Sequence, residues 1–229
     1  NIFIGGGGQS SIGAVGETSQ GSYNTAIGYN SLLSNTTGYQ NTALGYNSLR
    51  SNTTGSNNTA IGYNSLYSNT TGYYNTAIGY NSLRSNTTGS NNTALGLYSL
   101  YSNTSGYYNT ALGLNSGRYI TDGTTANETS TNSVYLGYNT KALDSGDTNE
   151  IVIGYGVTGL GSNSVNLGNY SITLTGLHGA VELDNNSWLR AKDYAGTGVV
   201  NMFKVNASNE IDVGGALNIG TLSLSEDSG

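Results

Sequence analysis

The stretch Asn58-Thr59-Ala60-Ile61-Gly62-Tyr63-Asn64-Ser65-Leu66-Tyr67-Ser68-Asn69-Thr70-Thr71-Gly72 decides the fold, because nearly the same phrase returns after a step of 17 residues. Its opening words, Asn-Thr-Ala-Ile/Leu-Gly, begin at Asn24, Asn41, Asn58, Asn75, Asn92 and Asn109. Its closing words, Ser-Asn-Thr-Thr-Gly, end at Gly38, Gly55, Gly72 and Gly89, and the variant Ser-Asn-Thr-Ser-Gly ends at Gly106. Leu32, Leu49, Leu66, Leu83 and Leu100 recur between them. A fixed short period with Gly and Asn at constant places predicts a solenoid in which each coil stacks on the one before. The Thr-Ala-Ile segment reads as a short strand, with Thr and Ile on one face and Ala on the other. The Ala face carries no bulky side chain and is a candidate for close approach between chains. The pattern leaves open which face lines the coil.

Outward from this array, Ile2-Phe3-Ile4-Gly5, Val134-Tyr135-Leu136-Gly137, Ile151-Val152-Ile153-Gly154 and Val165-Asn166-Leu167-Gly168 keep the frame apolar, variable, apolar, Gly. About ten coils between residues 1 and 170, at the ~4.8 Å spacing of paired strands, make a rod roughly 50 Å long. Composition agrees. Gly supplies 35 of the 229 residues, Pro and Cys are absent, and only 9% of residues are charged, against about a quarter in ordinary globular chains. Gly, Asn, Ser and Thr are poor helix formers. Missing proline fits strands whose N–H groups all serve a neighbouring coil. An interior of Ile or Leu, a second Leu, a Thr methyl and an Ala per coil is thin relative to the cost of ordering the backbone. Self-association and ladders of identical Asn, Thr and Tyr are therefore expected to supplement it.

Asn132-Ser133-Val134-Tyr135-Leu136-Gly137 and Asn163-Ser164-Val165-Asn166-Leu167-Gly168 resemble the Asn-Ser-Val-Ala-Ile-Gly repeat of trimeric autotransporter adhesin heads. The Asn-Thr-Ala-Ile-Gly-Tyr-Asn-Ser-Leu phrase is similar to the repeat region of bacteriophage tail fibres. The resemblance covers about residues 1 to 170 and implies an all-β fold: a left-handed parallel β-roll assembled as an intertwined homotrimer. It implies a virion tail fibre as location, or in the adhesin branch a bacterial cell surface. It also implies a host-surface glycan or other receptor, and other fibre or tail proteins, as partners. The 17-residue coil, and Thr in place of the motif's first apolar residue, move the reading toward the phage-fibre branch. A start at Asn1 and an end at Ser223-Leu224-Ser225-Glu226-Asp227-Ser228-Gly229 suggest a processed or partial chain.

Four segments are expected: lead-in coils over 1–23, regular repeats over 24–120, degenerate coils over 121–170, and a small C-terminal β-module, a β-prism or knob, over 171–229. The last contains the alternating runs Val199-Val200-Asn201-Met202-Phe203-Lys204-Val205 and Glu210-Ile211-Asp212-Val213.

A net charge of −6 argues against a nucleic-acid-binding surface, and no apolar run approaches the ~18 residues of a membrane-spanning helix. Residues 18–121 hold no carboxylate and no His, so the regular array cannot perform paired-carboxylate hydrolysis. His178, Glu182, Asp184 and Asp193 cluster in sequence but read as solvated turn residues, and the chain is not expected to be an enzyme. Gly154-Tyr155-Gly156-Val157-Thr158-Gly159 matches a dinucleotide fingerprint in letters only, since another coil follows where a helix is required; no cofactor is expected. Asp144, Asp147, Asn149 and Glu150 offer oxygen ligands without the spacing of a known calcium loop, His178 stands alone, and no metal site is expected. The Asn-x-Ser/Thr triplets from Asn35 to Asn103 read as turns.

Tyrosine carries the remaining information. Tyr29, Tyr46, Tyr63 and Tyr80 follow the motif Gly and predict one stacked column. Elsewhere the beat doubles to 34 residues: Arg50 and Arg84 alternate with Tyr67 and Tyr101, and Tyr73-Tyr74 and Tyr107-Tyr108 alternate with Ser56-Asn57 and Ser90-Asn91. Positions that alternate so freely are expected to be exposed, where rings and guanidinium groups can meet sugars. Arg50, Tyr67, Tyr73, Tyr74, Arg84, Tyr101, Tyr107, Tyr108 and Trp188 are the candidate glycan contacts. From another class, an ice-binding solenoid could use the Thr ranks Thr36, Thr53, Thr70 and Thr87, and a depolymerase is a further alternative.

Overall fold

The computed structural model describes residues 1–5 and 21–169, and the backbone of 188–192, 199–205 and 211–213. The chain divides into two units, Asn1–Thr173 and Leu174–Gly229. In the first, ten strands form one sheet in chain order: β1 (Ile2–Ile4), β2 (Thr25–Ile27), β3 (Thr42–Leu44), β4 (Thr59–Ile61), β5 (Thr76–Ile78), β6 (Thr93–Leu95), β7 (Thr110–Leu112), β8 (Val134–Leu136), β9 (Glu150–Ile153) and β10 (Ser164–Leu167). All pairings are parallel, and in the regular array they are in register, as where Thr59, Ala60 and Ile61 face Thr76, Ala77 and Ile78. This is a parallel β-solenoid, and no helix occurs among the described residues. Where Thr110 faces Val134 the step lengthens to 24 residues, and where Ile151 faces Val165 it shortens to 14.

The coil closes through backbone conformations that the repeat letters encode. Gly62 has φ 131°, and a Cβ there would lie 2.5 Å from the carbonyl oxygen of Gly79 in the next coil, so both conformation and space demand Gly. Two residues on, Asn64 takes φ 53°, the left-handed region that Asn tolerates best after Gly. Leu66 is forced into the same region at φ 49°. Its side chain is fully buried, and that burial offsets the strain. The wall opposite the strand is also bonded coil to coil, with Leu66 N–H donating to Ser82 C=O at 3.1 Å and Thr70 N–H to Thr87 C=O at 2.9 Å. With backbone donors engaged on both walls, proline has no place in the array.

Ala26, Ala43, Ala60, Ala77, Ala94 and Ala111 line the interior, packed with the recurring leucines. The Ala face is therefore the inside of the coil and not a surface of approach between chains. The strand Ile and Leu residues lie on the outer face and contribute nothing to the interior. The reason is width: the Leu wall stands so close to the strand that only a methyl group fits between. Outside the regular array Phe3, Tyr135, Val152 and Asn166 hold the Ala place, and the largest of them shows what makes room. Tyr135 occupies the Ala place and is fully buried, and in the preceding coil Gly117 stands where the Leu would be; a Cβ there would lie 2.7 Å from the Tyr135 ring. Volume lost on one wall is returned on the other.

Amide ladders complete the interior. Asn52, Asn69, Asn86 and Asn103 each donate Nδ2 to Oδ1 of the Asn one coil before, at 2.7–2.8 Å. A second column uses Oδ1 of Asn41, Asn58 and Asn75 to accept the backbone N–H of Asn58, Asn75 and Asn92 at 3.0 Å. Buried amides in unbroken series leave no polar atom of the ladder unpaired, which a core this narrow requires.

In the second unit β11 (Trp188–Lys192), β12 (Val199–Val205) and β13 (Ile211–Val213) form an antiparallel sheet in that order. A β-prism or knob outline lies outside the described residues.

Candidate functional site

Two columns of side chains run along the coil corner that follows the strand. In the first, Tyr29, Tyr46, Tyr63 and Tyr80 stack with ring centroids 5.4, 5.1 and 5.0 Å apart. In the second, guanidinium groups and rings alternate. The Arg50 and Arg84 guanidinium carbons lie 5.6 and 5.2 Å from the Tyr67 centroid, and those of Arg84 and Arg118 lie 5.7 and 4.5 Å from that of Tyr101. These distances are within cation–π range. The 34-residue beat thus reaches Arg118, a residue the sequence reading does not single out; the arithmetic 50, 84, 118 is the signal that finds it. Arg118 also stacks on Tyr98 at 4.4 Å and Tyr119 at 4.6 Å. Tyr98 stands edge-on to both Tyr80 and Tyr101, at 5.6 and 5.4 Å, so the two columns lie side by side.

Arg50, Tyr67, Arg84 and Tyr101 are half-buried rather than exposed, which corrects the expectation for this column. The alternation arises from mutual packing: a cation on a ring is attractive where a cation on a cation would repel. Nη1 of Arg50 and of Arg84 donates to the hydroxyl of Tyr67 and of Tyr101, each at 3.3 Å. Tyr73, Tyr74, Tyr107 and Tyr108 are 47–58% exposed and form two edge-on pairs, each with 5.6 Å between centroids. Trp188 lies in β11, with its side chain outside the described residues, as are His178, Glu182, Asp184 and Asp193.

A third feature covers the outer face of the sheet. Ile4, Leu44, Leu95, Leu112, Leu136 and Leu167 are exposed there, in one rank with the half-buried Ile27, Ile61, Ile78 and Ile153; beside it runs the in-register Thr rank, which the exposed Ile2 and Val165 continue at its two ends. The turn threonines differ, because Thr36, Thr53, Thr70 and Thr87 donate their hydroxyls to the carbonyl of the Thr one coil on, at 2.9–3.1 Å. The hydrogens of those hydroxyls are committed to coil stacking.

The oxygen-bearing residues of 144–150 are not gathered around one point. Asp147 accepts the Asp144 N–H at 2.8 Å and the Ser162 hydroxyl at 3.0 Å, while Asn149 donates to Asn163 at 3.1 Å. Among the described residues no cluster of His, Cys, Asp or Glu could hold a metal ion. Asp122 closes a turn by accepting the Thr125 hydroxyl and the N–H groups of Thr125 and Thr124, and these bonds hold its carboxyl at about 2.

Glu150 instead stands in the buried Asn column, after Asn109 and Ser133. Its Oε1 accepts the Gly161 N–H at 2.8 Å and its Oε2 the Tyr135 hydroxyl at 3.4 Å. A Cβ at Gly159 would fall on this carboxylate, so Gly there leaves the Glu150 side chain its present place. Burial pushes the carboxyl above its ordinary 4.5, with Asp147 adding to the rise and the Gly161 N–H opposing it. Burial and the Glu150 charge push the Tyr135 hydroxyl up to about 12. A carboxyl raised in the folded state contributes stability that is present below pH 4.5 and lost as pH rises through its folded value. Glu150→Gln is therefore expected to melt higher than the parent at pH 7, by a few degrees at the ~2–4 °C per kcal/mol of a chain this size. The gap should close below pH 4.5; an equal gap at both pH values in thermal melts would contradict this assignment. Searches of protein-family models, curated proteins and solved structures found no match to this chain.

Proposed function

We propose that the chain is the shaft and host-attachment segment of a trimeric bacteriophage tail fibre: three left-handed coils wound together on a virion, without a catalytic role, with a host-surface glycan as partner. The observation that carries this reading is the apolar rank on the outer face of β1–β10. A contiguous exposed apolar face of this kind marks an interaction surface. A second copy of the chain is the partner whose own ranks repeat at the same ~4.8 Å step. The resemblance to fibre and adhesin-head repeats supports three copies rather than two. The head of a bacterial trimeric surface adhesin is the alternative reading, and the sequences flanking the array would separate the two.

Light scattering on the purified chain tests the proposal against a monomer of 23.7 kDa. A threefold mass is expected, and a single-chain mass would overturn it. An ice-binding solenoid has one observation in its favour: the strand threonines Thr42, Thr59, Thr76 and Thr93 form an in-register rank on the outer face. The two readings compete for the same face, so a single-chain mass would direct the next measurement to thermal hysteresis.

A further inference from the structure

We propose that the column Arg50–Tyr67–Arg84–Tyr101–Arg118 is the recognition line for an extended acidic polysaccharide in which acidic and neutral sugars alternate. The proposal rests on the attachment reading and names the ligand of that surface.

Charge gives the first argument. Between residues 18 and 121 the only charged side chains are Arg50, Arg84 and Arg118. A chain of net charge −6 therefore carries a stretch of three cations with no carboxylate in it to neutralise them. Their arrangement gives the second. The Arg residues recur every second coil, a step of ~9.6 Å at the ~4.8 Å strand spacing, and one sugar of an extended chain is about as long as one coil is tall. An alternating polymer laid along the column would place each acid group at an Arg and each neutral ring at a Tyr. A nucleic-acid duplex, with a phosphate every ~3.4 Å along each strand, falls out of that register.

The third argument is the orientation of the donors. Tyr67 and Tyr101 rings flank the Arg84 guanidinium at 5.2 and 5.7 Å, so its hydrogen-bonding capacity lies along the edge of the plane. One of those N–H groups meets the Tyr101 hydroxyl; the rest are available as a pre-aligned fork for a carboxylate or sulfate. Each Tyr hydroxyl that accepts from an Arg keeps its own O–H to donate to a sugar oxygen. Holding a guanidinium between rings and by one hydrogen bond lowers the ordering cost when the anion arrives.

The test is calorimetric titration of the full chain with a hyaluronan decasaccharide, which carries a carboxylate on alternate sugars, and with its methyl ester, which is the same polymer without charge. The acid form is expected to bind, and the ester to bind at least about tenfold more weakly, as loss of charged hydrogen bonds requires. Arg84→Gln should weaken the acid form by a similar factor, and Arg84→Lys should fail to restore it because the fork is gone. Arg50→Gln, at the end of the column where only the Tyr67 contact is lost, should also weaken binding, and it carries the test if the Arg84 variants fail to fold. Equal affinity for acid and ester, unchanged affinity in the Gln variants, or no binding of the acid form would each overturn the proposal. Light scattering on the same samples separates the two readings: a trimer that ignores hyaluronan removes this inference alone, and a monomer that binds it removes the fibre reading alone.

Discussion

Asn69→Asp is expected to break the regular array at its centre, with a loss of about 2–6 kcal/mol if two buried polar groups are left unpaired at ~1–3 kcal/mol each. Asn69 is fully buried. Its Nδ2 donates to Asn52 Oδ1 at 2.7 Å and to the Gly72 carbonyl at 3.0 Å, and its Oδ1 accepts from Asn86 at 2.8 Å. An aspartate turns the double donor into a second acceptor facing two oxygens. Ionised, it is a buried charge without a counterion. Protonated, it returns one donor for two acceptors. The variant's own carboxyl must therefore be raised in the folded state, so its stability should improve as pH falls toward 4, in contrast to acid weakening of ordinary carboxylates. In a stack held by nearest-neighbour contacts the damage separates two shorter arrays, and denaturation followed by circular dichroism should show a broadened or split transition. A single sharp transition within a degree or two of the parent at pH 7 would show that the ladder contributes little.

Much of this fold is legible in the repeat. The 17-residue step places six of the ten strands to the residue, and the Tyr29 to Tyr80 column follows from position alone. Which face turns inward is not legible, because the width of the coil decides it, and the width depends on the Leu wall that the strand letters do not mention. The pair Gly117 and Tyr135 could have disclosed it: a Tyr at the Ala place follows directly on the coil where Gly first replaces the recurring Leu. Alternation of Arg with Tyr suggests tolerance when read one position at a time. Read as neighbours across coils, it is complementarity, and the same letters then predict the cation–π column. Glu150 reads as a loop ligand until it is counted in the series Asn109, Ser133, Glu150, which places it in the buried amide column.

The outer face carries the second large effect. Ile78→Lys is expected to reduce the solution mass from three chains to one while leaving the coil intact. In a single chain Ile78 sits on the outside of β5, with its pairing partners Ile61 and Leu95 beside it and only Ala77 of that strand turned inward. A lysine there extends into water and disturbs no interior contact. In a trimer that buries this rank, three ammonium groups enter an apolar interface with no carboxylate nearby, since residues 18–121 contain none. Each unpaired charge costs several kcal/mol to bury. The sum exceeds what a lysine's stem can return by packing. Ala77→Leu, one residue away but inward, reverses the pattern: it overfills a space where the Leu wall admits only a methyl group, and it should lower the melting temperature by an amount consistent with about 1–3 kcal/mol of overpacking. Light scattering and thermal melts on both variants separate the faces. A threefold mass retained by Ile78→Lys would place the interface elsewhere on the coil and leave the Thr and Ile ranks as a free flat surface, the arrangement the ice-binding reading needs.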